Sequence, residues 1–182
     1  EKPPELVMTV ANLLDLRSGW PRVPALAGLP GGAASWAIAA RVQNPTLVVT
    51  GSESEAIRLA NEVAFHLRGA APVAVMPPDD VRPYDGLSPH PDAIRARIRA
   101  SLLLHHGAPC VVVCSARALL TRILDGDSVR ALTHTVSVDT EVDRESLVTS
   151  LVVHGYHGVA RVEEPGTVSR RGDVVDVWPT NT

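Results

Sequence analysis

The strongest constraint on the fold is a set of three short, continuously apolar runs: residues 46–50 (TLVVT), 73–76 (VAVM) and 110–114 (CVVVC). Runs rich in β-branched residues, with no polar residue in alternation, read as strands buried on both faces. Segments of helical period separate them. Residues 54–67 carry Ile57, Leu59, Ala60, Val63, Ala64 and Leu67 as an apolar face, with Ser52 or Ser54 as cap and Glu53 and Glu55 at the positive helix start. Residues 92–106 stack Ile94, Ile98 and Leu102 at four-residue spacing, and 116–124 read as a short helix. Upstream, 6–16 and 33–42 read as helices and 26–28 as the end of a short strand, while 77–91 form a turn-rich connection. Strands alternating with helices predict an α/β unit: a parallel sheet with flanking helices.

The pattern changes after about Val129. Residues 133–138 alternate like a half-exposed strand, and 143–154 read as a helix that starts at Asp143-Arg144-Glu145. Residues 159–163, 167–170 and 173–178 then read as short strands joined by tight turns. The expectation is a first unit at 1–130 and a smaller α+β unit at 131–182, built from a helix against an antiparallel hairpin.

Composition removes several kinds of chemistry. Of the 17 basic residues in 182, only Lys2 is a lysine. Without an interior lysine there is no lysine Schiff base and no lysine to grip a phosphate in a P-loop. Aromatics at 3% are too few for a base-stacking platform, and a net charge of -3 argues against a dedicated phosphate-backbone binder, though not against a local basic patch. No apolar run approaches the ~18 residues of a membrane helix. In one strand Cys110 and Cys114 would share a face about 13 Å apart, too far for a disulfide. The three valines between them favour a straight strand over the turn zinc ligation needs, so both are expected as buried thiols in a cytoplasmic protein. The start, Glu1-Lys2-Pro3-Pro4, has neither an initiator Met nor a signal-peptide core, and the expectation is a chain cut from something longer.

One stretch sits where a phosphate loop would: Gly28-Leu29-Pro30-Gly31-Gly32-Ala33-Ala34-Ser35, between a strand and a helix. Against G-x-x-x-x-G-K-[ST] it keeps the first Gly and the hydroxyl of Ser35. Ala33 replaces the second Gly, Ala34 replaces the Lys, and Pro30 removes a backbone donor. The missing lysine takes with it charged hydrogen bonds of about 1.5–3 kcal/mol each. The apolar run at 111–113 ends in Cys114-Ser115 rather than in an acid that could hold magnesium. Tight ATP binding is not expected. A Gly-rich turn without function is the ordinary alternative.

Other constellations are weaker. His105 and His106 point apart on a helix, His154 and His157 span a helix end at Gly155, and no acid recurs beside them, so no metal site is expected. There is no G-x-S-x-G elbow. Asp79-Asp80 and Glu163-Glu164 read as caps or solvated turns. Arg95 and Arg99 share one helix side with Arg97 nearly opposite, which reads as two solvated flanks. Arg170-Arg171-Gly172 falls at the hairpin, where an arginine held outward suits bidentate pairing with a partner's carboxylate. The alternative is an exposed turn arginine without a task.

Three blocks carry a resemblance. They are Leu26-Ala27-Gly28-Leu29-Pro30-Gly31, the segment Pro77-Pro78-Asp79-Asp80-Val81-Arg82-Pro83-Tyr84-Asp85-Gly86-Leu87-Ser88-Pro89-His90-Pro91-Asp92, and a closing stretch. The last runs from Gly155-Tyr156 through Val162-Glu163-Glu164-Pro165-Gly166 to Arg171-Gly172-Asp173-Val174-Val175-Asp176-Val177-Trp178-Pro179. In order and spacing they resemble the transcription-repair coupling factor family (Mfd), in its N-terminal module similar to UvrB. The resemblance implies a RecA-like α/β domain with a decayed ATP site, followed by the start of a domain that binds UvrA. It implies that an arginine of the R-G-x-x-x-[DE] block, here Arg171, contacts UvrA, with Arg170 beside it. Further contacts would fall after Thr182. It implies no catalytic residue, metal or cofactor in this stretch. RNA polymerase and DNA would be partners only of downstream domains, those of an ATP-dependent translocase. The competing expectations are a UvrB-like ATP-binding helicase half-domain and an autoinhibitory module packed on the parent's own motor.

Overall fold

Residues 28–81 and 86–180 are described by the computed structural model; the expected helix at 6–16, the strand residues Leu26 and Ala27, and Arg82, Pro83, Tyr84 and Asp85 lie outside them. The three apolar runs form one parallel sheet: β1 (Pro45–Thr50), β2 (Val73–Met76) and β3 (Cys110–Ser115), in the order β1–β3–β2. Val48 and Val75 both lie opposite Val113, so β3 is the centre and is buried along its whole length. Side chains alternate across a strand, which gives β3 two cores. Val111 and Val113 face α2 (Glu53–Leu67), packing on Ala56, Ala60, Val63 and Leu67. Val112 and Cys114 face α3 (Pro91–His106), packing with Met76, Ala100 and Ala118. Val111, Val112 and Val113 are fully buried, worth about 1.5–3 kcal/mol each. Both cysteines are free, and burial pushes their thiols up from the ordinary value.

The caps follow the sequence. Ser52 accepts the Glu55 N–H at 3.2 Å, with Glu53 and Glu55 in the first turn of α2. Pro91 opens α3 behind a His90 cap, and Gly107 ends it at φ +79°. The preceding α1 (Ala33–Ala39) is shorter than the expected 33–42, and 116–124 shrinks to a 3₁₀ turn, Ala116–Leu120.

α3 departs from its reading. Its buried positions are Ala100 and Ser101, whereas Ile94 is 43% exposed. Close approach to the sheet selects a small residue, and the isoleucine stripe lines a cleft instead. Arg97 is not a solvated flank: only 11% of its side chain is exposed, and it donates to the Pro77 carbonyl at 2.7 Å with Asp79 nearby. Asp80 accepts the His90 N–H, so both acids of the pair close the connection onto α3. On the same side of the sheet Leu47 and Val49 of β1 remain 44% and 48% exposed.

After the 3₁₀ turn an unforeseen α4 (Gly126–Ala131) is capped by Asp125. The strand expected at 133–138 does not form; Val136 and Val138 are exposed and pair with no strand among the described residues. Alternation supplies a face but not a neighbour to pair with. Next, α5 (Arg144–Val153) starts at Asp143, which accepts the Glu145 and Ser146 N–H groups. Strands β4 (His157–Gly158), β5 (Thr167–Arg171) and β6 (Val174–Trp178) form a mixed sheet, with β4 parallel to β5 and β5 antiparallel to β6. The strand expected at 159–163 does not form; the segment is a loop held to β5 by two hydroxyls, Thr167 donating to the Glu164 carbonyl and Ser169 to the Ala160 carbonyl.

Candidate protein-interaction surface

The loop before α1 is closed on itself. Gly28 and Gly31 hold positive φ, and Gly32 caps the helix with no side-chain hydrogen bond. The Ala33 N–H donates to the Pro30 carbonyl at 3.0 Å, so that donor does not face solvent. Ser35, where a P-loop hydroxyl would reach magnesium, is fully buried and donates to the Gly32 carbonyl at 2.7 Å. Ala34 is exposed and brings no charge. Pro30 offers no donor at all.

The hairpin is a more specific arrangement. Arg171 pairs with Val174 in the register, leaving a two-residue turn of Gly172 and Asp173. Gly172 has φ +59°, the first-position geometry of a II′ turn, which other residues adopt only under strain. Neighbouring strand residues point to opposite faces, so Arg170 and Arg171 do not form one patch. Arg170 reaches Glu145 on α5 at 3.2 Å. Arg171, 65% exposed, donates to Asp176 at 2.7 Å. Beyond that contact, its guanidinium makes no hydrogen bond among the described residues.

Reading the sequence missed Asp176, although the R-G-x-x-x-D spacing contains it. It also missed two supports: Arg144 bonds Asp173 of the turn at 2.5 Å, and Arg161, on the 159–166 loop, lies beside the hairpin. Asp143, holding the start of α5, has its carboxyl kept below the ordinary value chiefly by the Ser146 hydroxyl.

A mostly apolar cleft of about 970 Å³ is lined by Ile98, Leu102, Leu132, Leu147, Leu151 and Val177 among others. Among the described residues no group of three or more His, Cys, Asp or Glu is placed to hold a metal ion, and no helix is long and apolar enough to cross a membrane. His154 stacks on His134, and His157 lies in β4.

Known proteins share this layout in sequence. Residues 135–182 match the UvrB interaction domain family. Over 141 residues, 74% of the chain, it is 38% identical to a transcription-repair-coupling factor of Myxococcus xanthus. It is 33% identical over 75% of its length to that of Mycobacterium tuberculosis, and 28% identical over 75% to that of Haemophilus influenzae. The aligned stretch is only 11% or 12% of each relative. The chain therefore belongs to the transcription-repair-coupling factor family, of which it spans about 12% of a member's length.

Proposed function

We propose that the chain is the N-terminal adaptor module of a transcription-repair coupling factor, that it recruits UvrA of nucleotide excision repair, and that it does no ATP chemistry itself. The observation that carries this reading is Arg171, an exposed guanidinium pinned by Asp176 beside a tight turn, inside the stretch that matches the UvrB interaction domain. Pinning removes side-chain freedom before the partner arrives, so less is lost on binding. Arg171 is the leading contact. Arg170 is a second, and it must release Glu145 to reach a partner.

The reading divides the chain into a degenerate RecA-like unit at 1–130 and the start of a UvrA-binding unit at 131–182. The parent would be an ATP-dependent DNA translocase that displaces stalled RNA polymerase, with polymerase and DNA held by its other domains. The absence of ATP chemistry is supported by Ala34 in place of lysine, the buried Ser35 and the self-bonded Ala33 amide.

Charge reversal, Arg171→Glu, replaces a charged hydrogen bond worth about 1.5–3 kcal/mol with repulsion. In the chain extended past Thr182, UvrA affinity measured by calorimetry should fall by about tenfold or more, and unchanged affinity would remove the assignment. Titrating ATP into the same chain tests the other half: micromolar binding would favour the UvrB-like ATP-binding half-domain instead.

A further inference from the structure

We propose that Arg161 and Arg171 are the two walls of one carboxylate-binding groove, so that an acidic segment of a partner protein is gripped between two guanidinium groups rather than by Arg171 alone. The inference rests on the assignment of Arg171 as a partner contact and adds a second arm to it.

The groove is shallow, about 660 Å³, and runs beside β6; Arg161, Val162, Arg171, Asp176, Trp178 and Pro179 line it. Arg161 reaches it because its loop is stapled on either side. The Ser169 hydroxyl donates to the carbonyl of Ala160, one residue before, at 2.9 Å, and the Thr167 hydroxyl donates to the carbonyl of Glu164, three residues after, at 2.6 Å. Ser169 lies directly opposite Asp176 in the register. Arg161 therefore lines the same groove as Arg171 and the acid that holds it, Asp176.

The donors are largely unspent. Arg171 gives one hydrogen bond to Asp176, and the Arg161 guanidinium stands 3.7 Å from Glu163, beyond hydrogen-bond reach. Arg161 is 79% exposed. A carboxylate entering from solvent can take two parallel N–H groups from either fork, the geometry in which arginine binds best. Val162 and the half-exposed Trp178 give the entering segment an apolar surface beside the charges.

The spacing of charge selects the occupant. Each arginine of the groove has an acid partner, Asp176 for Arg171 and Glu163 for Arg161, so the positive surface is broken into separate forks: a continuous phosphate backbone would meet acid between them, whereas a single carboxylate needs only one fork. A chain with a net charge of -3 has little else to hold a polyanion.

The test titrates UvrA by calorimetry into the chain extended past Thr182, unsubstituted and as Arg161→Glu, Arg161→Gln and Arg171→Glu, with circular dichroism as a check on folding. Arg161 is a surface loop residue, so its substitution leaves the fold in place. The expected result is about a tenfold loss for Arg161→Glu and a smaller loss for Arg161→Gln, beside the loss for Arg171→Glu. If Arg161→Glu binds as the unsubstituted chain does while Arg171→Glu is weakened, the groove is overturned and the Arg171 assignment stands. If Arg171→Glu is unaffected, or the unsubstituted chain does not bind, both fall. If a duplex oligonucleotide competes with UvrA and is lost in the same variants, the ligand is phosphate and the proposal is overturned.

Discussion

Removing the two buried hydroxyls beneath the 159–166 loop isolates what holds that loop. Thr167 and Ser169 are 1% and 2% exposed, and each spends its hydroxyl on a loop carbonyl. Thr167→Val keeps the side-chain volume, and Ser169→Ala removes a single oxygen. A neutral hydrogen bond is worth about 0.5–1.5 kcal/mol net, while a buried acceptor left without a donor costs about 1–3 kcal/mol. The acceptors belong to Ala160 and Glu164, which are exposed residues, so water can reach their carbonyls and the smaller figure applies. Each variant should therefore lose about 1 kcal/mol. Both bonds close the same loop, so the double variant should lose less than the sum, about 1.5 kcal/mol. In a chain of this size 1 kcal/mol corresponds to roughly 2–4 °C in Tm. Urea unfolding followed by far-ultraviolet circular dichroism should show a lower midpoint with the slope unchanged. Unaltered midpoints in both single variants would refute the staple, and strict additivity would refute the shared loop.

Two further predictions concern the scaffold. Val113→Ala takes two carbons from a fully buried site against α2 and should cost about 2–3 kcal/mol in urea unfolding, whereas Leu47→Ala, on the bare part of β1, should cost less than about 1 kcal/mol. Asp143 carries a folded-state pKa below its unfolded value, so its capping contribution is present above the unfolded pKa and fades as pH falls through the folded one. Asp143→Ala should lower the urea midpoint at neutral pH, and the difference from the unsubstituted chain should shrink toward about pH 2; a difference that persists undiminished would show that the carboxylate charge is not what caps α5.

The strands were legible because nothing polar interrupts them; burial on both faces holds for β3 but not for β1, where Leu47 and Val49 stay half exposed, and the strand order was not in the pattern. Caps were legible for the same local reason, since Ser52 and Asp143 act within three residues of themselves. Features that depend on a distant partner were not. The alternation at 133–138 has the right period but no strand beside it among the described residues. On α3 the period correctly located an apolar stripe, yet it could not say whether the stripe meets the sheet or a cleft, and the sheet took Ala100. Arg97 carries a charge that composition assigns to solvent, but its long stem runs along the helix and its head finds backbone carbonyls.

Parity settles what the R-G-x-x-x-D spacing can mean. With a two-residue turn, the register sets Arg171 across from Val174 and Ser169 across from Asp176. Arg171 and Asp176 then share a face as diagonal neighbours, the arrangement in which two long polar side chains meet without distorting either strand. An acid one position earlier or later would point to the opposite face, and a longer turn would slide the register and break the diagonal. Gly172 fixes the turn at two residues because it accepts φ +59° without strain. The same parity sends Arg170 to the α5 side, where Glu145 holds it. Arg170 therefore cannot replace Arg171: exchanging their roles would need a one-residue slip that also takes the Thr167 and Ser169 hydroxyls away from the loop carbonyls they hold. The block is thus a device for showing one arginine on one face, and its chemistry follows from the turn that sets the count.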